Sequence, residues 1–220
     1  NDLKDKTGAI INIGKDKTEV SVINKNILIA TENISIGGKN IDKDISYIYN
    51  ISTKVSNKLK ENFALASKRN ASMREMETIQ NKNNEEVKIN QYEISEIVNS
   101  RLVQILELSK KQINLLTKKE IHYIIITGGT SEMTDFDIVA SDMFGKTYIN
   151  TEVKEIGARH NKYSSVLGSI KFYYQKLTFR DKVSPMLNEE EQELLFRIKK
   201  EKNINSDSLF GKVFGYFFDN

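Results

Sequence analysis

At 220 residues, with 39% hydrophobic and 29% charged side chains, the chain can bury a sizeable core, and its composition excludes an intrinsically disordered polymer. A net charge of only +3, from 33 basic and 30 acidic residues, argues against a dedicated nucleic-acid binder, so nucleic acid is not an expected partner. No cysteine is present, which excludes disulfides and thiolate chemistry and suits a reducing compartment, and two histidines without cysteine argue against a zinc site. No apolar run approaches the roughly 20 residues that span a bilayer. The chain opens on a polar lead-in to a strand, without a signal-peptide pattern, and we expect a natural N-terminal part to precede Asn1.

The predicted elements begin with a meander of three strands, Gly8–Ile13, Glu19–Ile23 and Ile27–Ile34. Gly14-Lys15-Asp16-Lys17 and Asn24-Lys25-Asn26 supply the turns between these apolar, β-branched runs. Gly37-Gly38 leads into a helix over Asn40–Ile48, with Ile41, Ile45 and Ile48 at helical spacing. A second helix is expected over Thr53–Ala66. A hairpin follows from Met73–Ile79 and Glu85–Ile89 around the turn Asn81-Lys82-Asn83-Asn84. Tyr92–Leu116 reads as the longest helix, its apolar stripe passing through Ile94, Val98, Leu102, Ile105 and Ile113. The nearly continuous apolar run Ile121–Thr127 marks a strand buried on both faces. After Gly128-Gly129 come a helix over Asp135–Phe144, a short strand over Lys146–Thr151 and a helix over Tyr163–Gln175. Residues 181–207 read as a linker with the single proline, Pro185, and a solvated helix over Asn188–Lys202 whose acidic start and basic end match the helix dipole.

Two glycine sites are candidates for ligand contact. Asn12-Ile13-Gly14 ends the first strand, and Thr127-Gly128-Gly129-Thr130 follows the buried strand. In α/β folds ligands bind beyond the carboxyl ends of strands, where backbone N–H groups can approach a phosphate. Either site alone is most often only a turn. Their order is more informative: hairpin, Ile36-Gly37-Gly38, long helix, buried strand with Thr-Gly-Gly, then Tyr163-Ser-Ser-Val-Leu-Gly168.

That series resembles the second lobe of the actin and hexokinase ATPase superfamily, and within it the FtsA family of actin-like bacterial cell-division proteins. Gly8–Val22 is similar to the family's second phosphate hairpin, Ile36–Ile45 to its V-G-G-x-x-I-T-x-D-I segment, and Leu59-Lys60 to the end of its A-E-x-L-K helix. Ile97–Leu102 with Ile105–Leu108 is similar to its I-I-E-x-R-x-x-E-I-L helix, Ile124–Gly129 to its adenosine motif, and Tyr163–Gly168 to its Y-x-x-A-V-G helix. The resemblance runs from about residue 7 to 175, plus the tail. It implies an α/β, actin-like (ribonuclease H-like) second lobe over residues 1–180, with subdomains 2A and 2B, the small inserted 2B covering roughly 40–120. It also implies ATP with Mg²⁺ as the ligand pair, and Asn12, Gly14, Lys15, Thr18, Gly37, Gly38, Lys60, Gly128, Gly129 and Thr130 as nucleotide-binding positions. No residue is expected to be catalytic or a direct metal ligand.

The departures weaken the ATP expectation. Asn12 stands where the family aspartate holds the magnesium water shell, and losing that charge weakens attraction to the ion. Lys15 and Lys17 replace glycine and threonine of D-I-G-G-G-T-T, and Asn57 replaces a glutamate that contacts the nucleoside. The lysines can still attract phosphate as point charges. The competing reading is a surface hairpin with lysines at its tip. Hydrolysis would require a first lobe, so catalysis by this chain is not expected.

The tail carries the sharpest physical pattern. At about 100° per residue, Leu209, Phe210, Val213, Phe214, Phe217 and Phe218 share one side of a helix over 208–220. Such a C-terminal amphipathic helix suits the membrane interface. The alternatives are a tail folded back on its own lobe or packed on a partner helix. In the family this tail targets the membrane, and a basic position matching Arg101 receives the acidic, hydrophobic C-terminal peptide of the tubulin-like FtsZ. The resemblance therefore implies a division-site protein on the cytoplasmic face of the inner membrane, which tethers FtsZ and forms an actin-like polymer with itself. Two other readings stand beside it: an actin-superfamily ATPase, or a PilM-like pilus-assembly protein, with the tail as a protein-interaction helix.

Overall fold

The computed structural model describes residues 3–151 and 160–179. The linker, the solvated helix and the terminal amphipathic stretch expected from the sequence lie outside the described residues. The chain divides into two compact units, Asn1–Leu167 and Gly168–Asn220.

The first unit is built on a five-stranded sheet. β1 (Thr7–Ile13), β2 (Thr18–Asn24) and β3 (Ile27–Ile34) form an antiparallel meander. Lys25 and Asn26 both take positive φ, as a tight two-residue hairpin turn demands. β6 (Tyr123–Thr127) pairs parallel with β1, and β7 (Tyr148–Ile149) parallel with β6, giving the order β3-β2-β1-β6-β7. The register places Ala9 beside Ile124 and Ile11 beside Ile126 on one face, and Asn12 beside Thr127 on the other. Ala9, Ile11 and Ile13 are fully buried, as are Val20 and Val22 of β2, which is the period-two burial of a sheet covered on that face.

Three helices and a hairpin intervene between β3 and β6. They are α1 (Gly38–Ile48), α2 (Thr53–Asn62), the β4–β5 hairpin (Met76–Gln80 and Glu86–Asn90) and α3 (Gln91–Leu116). α3 starts where Asn90 Oδ1 accepts the Glu93 N–H at 2.7 Å. Its buried stripe of Ile94, Val98, Leu102, Ile105 and Ile113 joins Ile41 and Ile45 of α1 in the core. α4 (Phe136–Phe144) contributes Phe136, Val139 and Ala140 to the same core.

Departures from expectation in α2, β4, β7 and α1 each have a local reason. α2 ends at Asn62 rather than Ala66 because the next backbone groups are captured by other elements. Phe63 O accepts Gln91 Nε2, Leu65 N–H donates to Ser95 Oγ, and Ala66 bonds both Thr134 and Asn99. β4 begins at Met76 rather than Met73 because Ser72 Oγ accepts the Arg74 and Glu75 N–H groups in a local turn. β7 is two residues long because Gly145–Thr147 form a 3₁₀ turn before it. Ile48 shares the helical spacing of Ile41 and Ile45, yet it is 55% exposed because the buried face of α1 runs through Asp42, Ile45 and Ser46 toward Tyr49 and leaves Ile48 at its edge.

α5 (Ser164–Phe179) crosses the boundary between the units. In the first unit its start is tied to the sheet: Thr127 Oγ1 lies 2.9 Å from Ser164 Oγ. Of the second unit, only the remaining turns of α5 are described.

Candidate functional site

Two concave surfaces flank α1. The first is a cleft of about 380 Å³ at the carboxyl ends of β1 and β6, lined by Lys15, Gly38, Lys60, Gly129, Thr130 and Glu132 among others. The β1–β2 turn closes with Gly14 N–H donating to Lys17 O at 3.0 Å. This turn packs against the start of α1: Gly38 N–H donates to Gly14 O at 2.9 Å and Lys39 N–H to Lys15 O at 2.7 Å. The approach is so close that a Cβ on Gly37 would stand 2.6 Å from Gly14 O, so only glycine fits there. Asn40 Oδ1 accepts the Gly37 N–H, and the first amides of α1 are thereby satisfied within the protein.

Lys60 of α2 forms the floor of the cleft. Its ammonium is buried and lies 2.6 Å from Asp42 Oδ1, with Gly38 O at 3.4 Å. Gly128 takes φ +100°, and a Cβ there would meet Ile13 O at 2.5 Å and Asn12 Oδ1 at 2.6 Å, so glycine is required at this crossing. Asn12 therefore sits against the Thr-Gly-Gly turn. Thr18 is fully buried, and its hydroxyl donates to Ile36 O at 2.8 Å, fastening β2 to the strand–helix connection. The two acids of the cleft wall are engaged: Glu61 accepts Asn57 Nδ2, and Glu132 accepts the Asn161 N–H and faces His160 Nδ1 at 3.0 Å.

The second surface is a groove of about 650 Å³ between the last turns of α1 and the first half of α3, with Asp44, Tyr47, Ile48, Ile97 and Arg101 on its walls. Arg101 is clamped by Asp44 in a two-pronged ion pair, Nε to Oδ2 at 2.6 Å and Nη2 to Oδ1 at 2.8 Å, while Nη1 donates to Gln104. Hydrogen bonding to Asp44 raises the guanidinium's pKa above its usual value, desolvation opposes the rise, and the Asp44 charge adds to it. Tyr47 is 89% exposed beside the pair.

The structure thus brings Lys15, Gly38, Lys60, Gly129 and Thr130 to one cleft, with Asn12 and Gly128 adjoining each other behind it. Gly14 and Gly37 lie where the hairpin crosses α1, and Thr18 is enclosed under it. Arg101 stands apart in the groove. Leu209, Phe210, Val213, Phe214, Phe217 and Phe218 lie outside the described residues. Sequence reasoning did not anticipate Asp42, Glu132, His160 or Lys162 at the cleft, or Tyr47 and Ile48 at the groove. Tyr47 next to Ile48 at a helix end was the one available signal, and helical spacing grouped that isoleucine with Ile41 and Ile45, which are buried.

A mixed sheet of order β3-β2-β1-β6-β7, with a hairpin, a Gly-Gly helix start and a Thr-Gly-Gly turn meeting at one cleft, defines an actin-like α/β lobe. Solved structures agree. MreB5 of Spiroplasma citri bound to ADP superposes with a TM-score of 0.63 at 19% identity, over 82% of this chain and 57% of that one. The PilM–PilN type IV pilus biogenesis complex is similar with a TM-score of 0.56 at 11% identity, over 76% and 46%.

The family described as cell division protein FtsA matches residues 9–168, and this chain belongs to that family. It is 28% identical over 166 residues to FtsA of Bacillus subtilis, covering 74% of this chain and 38% of that protein. It is 27% identical over 174 residues to FtsA of Enterococcus faecalis, covering 78% and 40%. With FtsA of Staphylococcus epidermidis the identity is 24% over 208 residues, or 92% of this chain and 45% of that protein, so this similarity extends past Phe179. The chain spans about two fifths of the length of these curated relatives.

Proposed function

We propose that the protein tethers filaments of the tubulin-like FtsZ to the cytoplasmic face of the bacterial inner membrane at the division site. In this reading the present chain supplies both the filament-docking groove and the membrane anchor, and assembly with further copies into an actin-like polymer belongs to the complete protein. The observation that carries it is the groove beside Arg101, where Tyr47 and Ile48 stand exposed at the end of α1 within an FtsA-family lobe. An exposed aromatic residue beside charged groups suits the binding of a short peptide. The anchor rests on the helical pattern of Leu209, Phe210, Val213, Phe214, Phe217 and Phe218. At about 25 cal/mol per Å² of buried apolar area, such a face could supply several kcal/mol of lipid binding before ordering costs.

Nucleotide enters this proposal as a ligand rather than a substrate. Gly129, Thr130 and Lys60 border a cleft that can admit a nucleoside. The donor set does not fit a magnesium-bound triphosphate. Asn12 offers no negative charge, the Gly38 and Lys39 amides already bond the hairpin, and the Lys60 ammonium is held by Asp42. ATP hydrolysis is accordingly not part of the proposed function.

The test mixes the full-length protein with FtsZ and liposomes and sediments the vesicles. FtsZ is expected in the pellet only when the protein is present, and Phe214→Glu with Phe217→Glu should abolish its recovery. Unchanged recovery of FtsZ with that double variant would overturn the tether.

A further inference from the structure

The end of the sheet opposite the cleft carries a surface that neither the cleft nor the groove uses. β1 and β6 begin there. Lys25 N–H donates to Lys6 O at 3.1 Å and His122 N–H to Thr7 O at 2.9 Å, so the lead-in to β1, the β2–β3 turn and the α3–β6 connection meet at this end. Those three short segments hold five exposed lysines, Lys4, Lys6, Lys25, Lys118 and Lys119, against two acids, Asp5 and Glu120. None of the five makes an ion pair among the described residues. Lys118 Nζ donates to Asn114 O at 3.2 Å, which orders the side chain without neutralising it.

Apolar side chains stand among these charges. Ile27, Leu28 and Ile29 open β3 at 65%, 61% and 52% exposure, and Leu115, in the last turn of α3, is 65% exposed. A regular strand sends successive side chains to opposite faces. Here Val22 faces Ala30 while Ile23 faces Leu28, so Ile29 is an extra residue, a bulge that interrupts the alternation. β3 is an edge of the sheet, and the bulge with Lys25 beside it guards that edge against pairing with another strand. The surface is therefore unsuited to strand addition. Its four exposed aliphatic side chains also have nothing to pack against on a phosphate backbone, which argues against nucleic acid.

We propose that this end of the lobe is a membrane contact separate from the tail, in which Ile27, Leu28, Ile29 and Leu115 enter the interface of an anionic bilayer and the five lysines meet its headgroups. Charge complementarity carries the choice of partner: the lysines fall within the range of about four to eight that marks recognition of anionic lipid, and apolar side chains among them add burial. The contact rests on the reading that the protein works at a membrane, but on none of the tail's residues. It supplies what the tail lacks. Between Ser208 and Asn220 the one base, Lys212, is balanced by the one acid, Asp219, so a tail acting alone is indifferent to lipid charge. The contact also orients the lobe, because with the amino ends of β1 and β6 on the lipid the cleft stands roughly 20 Å away from it.

The test floats the full-length protein with vesicles of phosphatidylcholine, alone or mixed with phosphatidylglycerol. The anionic lipid should strengthen binding about tenfold or more at low salt, and high salt should remove the gain. Lys6→Glu with Lys25→Glu and Lys119→Glu should abolish the gain, whereas arginine at the same three positions should keep it. Leu28→Glu with Ile29→Glu should weaken binding to the mixed vesicles by a similar factor. All five positions are exposed, and the thermal transition of each variant checks its fold. The proposal is overturned, with the tail anchor intact, if flotation is indifferent to phosphatidylglycerol or if the lysine variant floats like the unaltered protein. It is also overturned if the lysine variant loses binding and Leu28→Glu with Ile29→Glu does not, since the surface is then a polyanion site rather than a membrane contact. If Phe214→Glu with Phe217→Glu leaves flotation unchanged while the lysine variant abolishes it, this contact stands and the tail anchor fails.

Discussion

Two aspartates two residues apart on α1 build the two surfaces in opposite ways. Asp42 points inward to Lys60, and both side chains are almost completely buried beneath the cleft. Asp44 points to Arg101, and both side chains are 27% exposed on the groove wall. A separation of two residues turns the helix by about 200°, so one short segment serves two sides of the lobe. Buried charges must be paired to be tolerated, whereas a half-exposed pair shares its stabilisation with water and is screened by salt. The cleft is thus held by an interaction that the fold cannot easily lose, and the groove by one it could exchange.

The largest expected effect comes from breaking the buried pair. Lys60→Met should leave Asp42 charged, enclosed and without its cation, at a cost of about 3–5 kcal/mol. The measurement is the midpoint of urea unfolding for the full-length protein. Adding Asp42→Leu to Lys60→Met should restore much of the loss, because the orphaned charge is gone. If Lys60→Met alone shifts the midpoint no more than a surface substitution would, the contrast between the two aspartates disappears.

Arg101→Gln should cost far less, within about 1 kcal/mol, because its partner is left half-exposed and hydrated. Arg101→Gln and Asp44→Asn, separately and together, make a double-mutant cycle that reads the coupling directly. A coupling as large as that of the buried pair would mean that the groove is as rigid as the cleft, and would put Arg101 beside Lys60 among the residues the fold cannot easily lose.

The fold was legible in the sequence to the extent that local chemistry decides it. β3 runs over Ile27–Ile34 in both sequence and structure because β-branched residues fill the run and Lys25-Asn26 supply a tight turn. α3 was legible because 26 residues give its apolar stripe ample room to repeat. The actin-like order of motifs could also be read along the chain. What could not be read depends on contacts between distant residues. α2 ends where Gln91, Ser95 and Asn99 of α3 claim its continuing backbone, and nothing in residues 63–66 signals that. The Asp42–Lys60 pair joins positions 18 apart, and neither residue has a periodic signature. Thr18 and Gly37 were legible as members of a phosphate motif. Their geometry adds a role no motif describes: one bonds Ile36 O, and the other lets the hairpin lie against α1. Ile48 was hidden because it repeats the spacing of Ile41 and Ile45, whereas the face that is buried runs through Asp42, Ile45 and Ser46 toward Tyr49 and leaves Ile48 at its edge.

The effect that is smallest at neutral pH, where it is silent, concerns Tyr49, the residue that caps α1 just beyond Tyr47 and Ile48. Burial, and then the nearby charge of Glu93, push its phenol up to about 12 from the ordinary 10.0. The native state therefore keeps the proton at a pH where the unfolded chain releases it. The stabilisation is fully present below pH 10 and is lost as pH rises toward about 12. Tyr49→Phe removes this titration, so the variant should lose less stability than the unaltered protein between those two values. Thermal unfolding at a series of alkaline pH values reads the difference, and parallel curves would show that the phenol is solvated in the native state. A divergence would extend the contrast along α1: a buried pair at Asp42, a shared pair at Asp44, and at Tyr49 a group whose enclosure matters only when it is asked to ionise.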